Sequence, residues 1–161
     1  MLQSIQNKIR SLQKAREIIQ TWKDNGDQIV WTNGCFDILH LGHIKYLIEA
    51  KALGQRLIVG LNSDHSVGKL KGGHRPIMDQ RSREFILAAM QMIDLVVPFE
   101  SVTPIQEILS LQPHILVKGG DYNKNQIIGS KEVEAWGGKV VIIPLEKGHS
   151  STLIIEKIKK L

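Results

Sequence analysis

The run Ile29–Val30–Trp31–Thr32–Asn33–Gly34 is a short apolar strand that ends in glycine, and Cys35 to His43 carry the chain into an amphipathic segment beginning at Ile44. A strand feeding a helix through a glycine turn, followed by another apolar strand at Arg56–Leu61, is a βαβ unit, and that unit requires a parallel pair. The junction also suits a phosphate, because unpaired N–H groups and the positive end of the helix dipole converge there. His40 and His43 stand three apart at the same point. Two imidazoles aimed at one spot can donate hydrogen bonds to charge developing on phosphate oxygens.

The flanking chain repeats the alternation. Leu2, Ile5, Ile9, Leu12, Ala15, Ile18, Ile19 and Trp22 recur at steps of three and four, predicting one helix over 1–25 that packs on a domain spanning 26–161 and ends at Asn25–Gly26. Ile44, Leu47, Ile48 and Leu53 predict the buried face of the helix closed by Gly54. Residues 62–80 are rich in charge and glycine, with too little apolar periodicity for a core element, and read as a long basic loop. A helix follows from Asp79 or Gln80 to Gln91 with Phe85, Ile86, Ala89 and Met90 inward, and Leu95–Pro98 is a third strand. Thr103 caps and Pro104 opens a helix through Leu111. Strands at 115–117 and 139–143 flank a short helix over 130–136, and Ser150, Ser151 and Thr152 cap a final helix ending at Lys160. The expected fold is α/β: a single-domain, parallel five-stranded sheet with helices on both faces, plus an N-terminal helix. In such sheets ligands bind outside the carboxyl ends of the strands. Those ends carry Gly34–His43, Asn62–Pro76, Lys118–Tyr122 and Gly148–Thr152.

Composition narrows the partners. With 161 residues, 42% hydrophobic and 23% charged, the chain fits one core, and no apolar run approaches the about 18 residues that span a bilayer. No membrane contact is expected, and the charged, glutamine-rich start lacks the apolar core of a secretory signal, so the expected compartment is the cytoplasm. The single cysteine, Cys35, allows no intramolecular disulfide and reads as a small turn residue. The net charge of +5 favours anionic partners. Eight aromatics (three Trp, two Tyr, three Phe) and no basic run before the terminal Lys157, Lys159 and Lys160 argue against nucleic acid. No metal site is expected, since too few ligand types cluster near the histidines.

Thr32–Asn33–Gly34–Cys35–Phe36–Asp37 followed by His40–Leu41–Gly42–His43 resembles the signature of the cytidylyltransferase-like nucleotidyltransferases, and Gly148–His149–Ser150–Ser151–Thr152 is similar to that family's C-terminal serine–threonine motif. The resemblance covers Ile29 to Leu161 and implies a Rossmann-like fold. Leu57–Asp64, Val117–Tyr122, Gly129–Val133 and Trp136–Gly138 place it nearest the ADP-heptose synthase branch. What this implies is transfer of AMP from ATP, with Mg2+, to D-glycero-β-D-manno-heptose 1-phosphate, a sugar 1-phosphate, and release of pyrophosphate. By motif position His40, His43 and Lys71 are the catalytic candidates. Thr32, Asn33, Gly34, Cys35, Phe36, Gly42, Arg83, Gly119, Asp121, Ser150, Ser151 and Thr152 are the nucleotide-binding ones, and Asp37, Asn62, Arg75 and Tyr122 the substrate-binding ones. Asp37 and Asp121 are candidates for sugar hydroxyls or for magnesium, and a homodimer is a further implication.

Each residue also has an ordinary structural reading. Lys69, Lys71 and Arg75 could be a solvated loop, Arg83 a helix-surface ion pair with Glu84 or Asp79, and Asp121 a turn residue. His74 and His149 take no assignment. The C-terminal motif has Ser151 where relatives carry threonine, and the arginine that glycerol-phosphate cytidylyltransferases carry just before it is absent from Leu145–Lys147. The competing functions are a CTP-dependent cytidylyltransferase of glycerol 3-phosphate and a noncatalytic nucleotide- or nucleic-acid-binding module.

Overall fold

Side chains alternate across a strand, so apolar strands with helices on both sides feed two cores. The computed structural model describes residues 1–120, 123–146 and 148–161. Strands β1 (Ile29–Gly34), β2 (Arg56–Asn62), β3 (Leu95–Phe99), β4 (Ile115–Gly119) and β5 (Lys139–Ile143) form one sheet in the order β3-β2-β1-β4-β5. All four ladders are parallel. Val30, Leu57, Val59 and Val117 point to one core, closed by α3 (Leu41–Lys51) and α5 (Gln80–Ala89). Ile29, Trp31, Ile58 and Leu116 point to the other, closed by α2 (Leu12–Asp24), α6 (Ile105–Leu111) and α7 (Ser130–Ala135). The expected α/β architecture is the one observed.

Several local expectations are corrected. The N-terminal segment is two helices, α1 (Leu2–Gln6) and α2, separated at residues 7–11. There Ile9 bridges Val96 on the sheet edge, with Arg10 N donating to Val96 O at 3.0 Å and Val96 N donating to Lys8 O at 2.8 Å. Ile5 and Ile9 pack on one core, and Ala15 and Ile19 on the other. A straight helix cannot reach both faces of a sheet, so the chain breaks where it passes the edge and covers it. Ser11 then restarts the helix by accepting from Lys14 N.

The stretch read as a loop holds a helix, α4 (Asp64–Lys71), started by Ser63 accepting from Ser66 N and ended at Gly72. Only Ser66 and Val67 of it are buried, which explains its missing apolar period. In α3, which starts at Leu41, the buried residues are Gly42, Tyr46, Leu47 and Ala50, with Ile48 51% exposed. In α5 they are Arg83, Leu87 and Ala88, while Ile86 and Ala89 face out, because the helix turns a charged residue inward. Pro104, not Thr103, is the N-cap of α6. The last helix, α8 (Ser151–Ile158), begins at Ser150 and has no buried residue.

The chain steps outward from β1 through β2 to β3 and then returns to β4 on the other side of β1. The crevice of such a sheet opens at that reversal, beyond the carboxyl ends of β1 and β4. One close contact holds β1 against β2: a Cβ on Gly60 would lie 2.4 Å from Trp31 Cζ2. Gly60→Ala is therefore expected to cost about 1–3 kcal/mol, read as a lower urea midpoint at unchanged slope. The control Gly73→Ala, where a Cβ meets nothing within 4 Å, should leave the midpoint in place.

Candidate active site

A cavity of about 300 Å³ opens beyond β1 and β4. The β1–α3 turn supplies Asn33, Gly34, Cys35, Phe36 and Asp37, α3 supplies Gly42, His43 and Tyr46 with His40 at its N-cap, and α4 supplies Lys71. Lys118 and Gly119 come from β4, and Ser150, Ser151 and Thr152 from the start of α8. Thus the N-termini of α3 and α8 meet at one cavity, the arrangement that favours an anion. Most of the residues singled out in the sequence are gathered here from segments more than a hundred positions apart.

Local geometry explains the motif. Phe36 takes φ 44°, a left-handed conformation that costs a bulky residue energy. It folds its ring toward His43, with centroids 5.4 Å apart. A Cβ on Gly42 would stand 3.1 Å from the His40 ring, so glycine lets that ring lie along the first turn of α3. The two imidazoles stack with centroids 3.9 Å apart. Burial, reinforced by the neighbouring His40 and Lys71, lowers the His43 pKa to about 4. Burial, and then His149, lowers that of His40. His43 is thus neutral near pH 7, and the Nδ1 atoms of both rings are buried without a hydrogen-bond partner among the described residues.

The serine cluster divides its work. Ser150 Oγ accepts from Leu153 N at 3.1 Å, capping α8, and Ser151 Oγ donates to Ile38 O at 3.0 Å, tying that helix to the turn before α3. Thr152 lines the cavity without such a bond among the described residues.

The acidic candidate among the described residues, Asp37, is already engaged. Asp37 Oδ1 accepts from Ile77 N at 2.8 Å and Met78 N at 2.9 Å, and Oδ2 accepts from Arg75 Nε. Burial works to raise its pKa, but these donors outweigh it and hold the carboxylate below the usual range. Asp37 and Arg75 therefore pair with each other and lock the segment before α5 onto the turn. Both oxygens of Asp37 are thus engaged by protein donors, and no group of three metal-ligand side chains forms among the described residues. Asp121 and Tyr122 lie outside the described residues.

Arg83, expected at the nucleotide, is fully buried and lines neither this cavity nor the next. Its guanidinium donates to Cys35 O at 2.6 Å, Asn62 O at 2.8 Å and Met78 O at 3.0 Å, and pairs with Asp64 at 2.8 Å. The surface ion pair with Glu84 or Asp79 is not formed either. Thr32 is likewise buried, its hydroxyl 2.6 Å from that of Tyr46.

A second cavity of about 270 Å³ lies on the β2–β3 side and contains Asn62. It shares Asn33, Gly34, Cys35 and Lys118 with the first and is otherwise walled largely by Leu70, Val102, Pro104, Ile127 and Ile128. A wider groove of about 550 Å³ between α1 and α5 gathers no glycine turn or histidine. Tyr46, Lys118, Leu145, Glu146 and His149 also line the first cavity, and the sequence reading gave none of them a role there. Lys118 carried a usable signal, as the last side chain before a glycine at the end of a strand. Tyr46 and His149 carried only their nearness to His43 and Ser150.

Residues 31–157 match the family described as cytidylyltransferase-like, and the chain belongs to that family. It is a nucleotidyltransferase. Over 94% of its length it is 46% identical to the bifunctional protein HldE of Magnetococcus marinus and 49% identical to that of Trichlorobacter lovleyi, spanning 31% of each of those proteins. The lipopolysaccharide core biosynthesis protein of Thermoplasma volcanium GSS1 superposes with a TM-score of 0.61 at 28% identity, covering 77% of this chain and all (100%) of that one. Among the described residues no helix is long and apolar enough to cross a membrane.

Two outcomes follow from the site. Arg83→Met leaves three carbonyls without their donor and should cost about 3–5 kcal/mol by urea denaturation, with Arg83→Lys intermediate. Burial lowers the folded pKa of His43 from the ordinary 6.5 to about 4, so its contribution is present above pH 6.5 and is lost as pH falls toward 4. Stability should drop across that window by about 3 kcal/mol, and His43→Gln should flatten the drop.

Proposed function

We propose that the chain transfers AMP from ATP to D-glycero-β-D-manno-heptose 1-phosphate, releasing ADP-heptose and pyrophosphate. The observation that carries this reading is the pair of adjoining cavities at the carboxyl end of β1, the first lined by His40, His43, Lys71 and two helix N-termini, a lining suited to polyphosphate, and the second beside it with room for an acceptor. The sugar is supported by the likeness to HldE and to a lipopolysaccharide core biosynthesis protein, and by the motif residues Val117–Gly120.

The chemistry needs no enzyme nucleophile. An oxygen of the acceptor phosphate attacks the α-phosphorus in line, the new P–O bond forms as the bond to the β-phosphate oxygen breaks, and pyrophosphate carries the electron pair away. Catalysis is then positioning and charge neutralisation. His40 and His43, neutral and stacked, donate hydrogen bonds to the leaving phosphates from the start of α3. Lys71 neutralises charge from the end of α4, and the N-terminus of α8 supplies further N–H groups. Magnesium accompanying ATP would supply further neutralisation of phosphate charge, and Asp37, with both oxygens engaged by protein donors, would not be its principal ligand.

A second reading, CTP with glycerol 3-phosphate, is favoured by the family's description. Pyrophosphate release in four wells, ATP or CTP with either acceptor, separates the two. Release with ATP and the heptose phosphate alone is the expected result. Release with CTP moves the protein to the second reading, and silence in all four overturns both. His43→Ala should lower turnover about 100-fold or more while the circular dichroism spectrum is unchanged.

A further inference from the structure

Asn33, Gly34, Cys35 and Lys118 are the residues common to both cavities, and they form the wall between them. An in-line displacement puts entering and leaving oxygens on opposite sides of the phosphorus, so the reacting atom lies at the boundary between the space holding the pyrophosphate and the space holding the acceptor. Of the four shared residues only Lys118 has a cationic side chain. We propose that Lys118 is a catalytic residue whose ammonium neutralises the charge building on the nonbridging oxygens as one P–O bond forms and the other breaks.

The surrounding structure fits that task. Lys118 is held in the β4–β5 ladder opposite Ile142, and Tyr46 fastens the strand one residue earlier by donating to Val117 O at 3.2 Å. Its backbone is therefore fixed, as a group acting on one atom requires. Burial lowers its pKa, with the Cys35 sulfur acting in the opposite direction. Its amine makes no salt bridge among the described residues, so it has charge to offer an incoming phosphate. Lys71 differs. It is exposed, ends α4, precedes Gly72 at φ 94°, and lines the first cavity alone. That placement suits holding the outer phosphates.

The proposal rests on nucleotidyl transfer at this site but not on which sugar or base is used, so the test uses whichever nucleotide and acceptor the wild-type protein turns over. Lys118→Met should lower kcat about 100-fold or more while both KM values stay within about threefold, and Lys118→Arg should keep at least about a tenth of wild-type kcat. A Lys118→Met protein with kcat within about threefold of wild type, or a loss confined to KM, overturns the role. A second measurement needs no acceptor and is made on the wild-type chain: lysine acylation read by mass spectrometry, with and without AMP and magnesium. Protection of Lys118 by AMP, with surface Lys14 still labelled, supports its placement at the α-phosphate, and unchanged labelling overturns it. Absence of turnover with AMP protection retained would count against the proposed reaction and not against this placement.

Discussion

The guanidinium of Arg83 joins four segments that are distant in sequence: the turn after β1 through Cys35 O, the end of β2 through Asn62 O, the start of α4 through Asp64, and the lead into α5 through Met78 O. A fully buried charge is tolerable only when its donors are satisfied, so these segments must arrive together for any of them to be stable. The strained turn at Phe36 depends on it, because a left-handed phenylalanine persists only where its surroundings over-determine it. Arg83 grips the carbonyl just before that residue, and Asp37, just after it, is gripped by the 75–78 segment. The turn is clamped on both sides, and the helix carrying the histidines starts from it.

That clamp also sets the electrostatics. With Asp37 neutralised by Arg75 and Glu146 paired to Lys45 at 2.8 Å, the described residues leave the cavity with Lys71 and Lys118 and two helix N-termini. Burial holds His43 uncharged, so the ring can offer a hydrogen bond without adding a third fixed charge. Among the described residues the unpaired side-chain charge of the cavity is positive, which favours an anion, and the neutral imidazoles beside it can donate hydrogen bonds. The second cavity is more apolar, and the two share Asn33, Gly34, Cys35 and Lys118 as lining residues.

Much of this was legible in the chain itself. The five strands, their parallel sense and the cluster of chemistry at their carboxyl ends follow from apolar runs alternating with helical periods, and the motif around His40 and His43 reads as a phosphate site because strand, glycine and helix start are contiguous. What misled the reading was burial decided by neighbours. The pattern over 2–23 is helical throughout, yet the chain breaks at Ile9 because it must cross the edge of β3. The pattern in 80–91 turned Ile86 inward, whereas the structure turns Arg83 inward and leaves Ile86 38% exposed. Arg83 looked like a nucleotide contact by position, and only its four acceptors reveal it as the tie that holds the turn.

By itself the sequence determined the fold class, the family and the place of the glycine turn that precedes the histidines, because each depends on residues close together along the chain. Only the tertiary structure decided which charges are spent and which are available. Asp37 is consumed by Arg75 and two backbone N–H groups, Arg83 by three carbonyls and Asp64, and Lys118 comes to lie between two cavities. The reason is that pairing energies fall off within a few ångströms. Distances on that scale between segments forty or eighty residues apart are fixed by how the strands pack, not by their order.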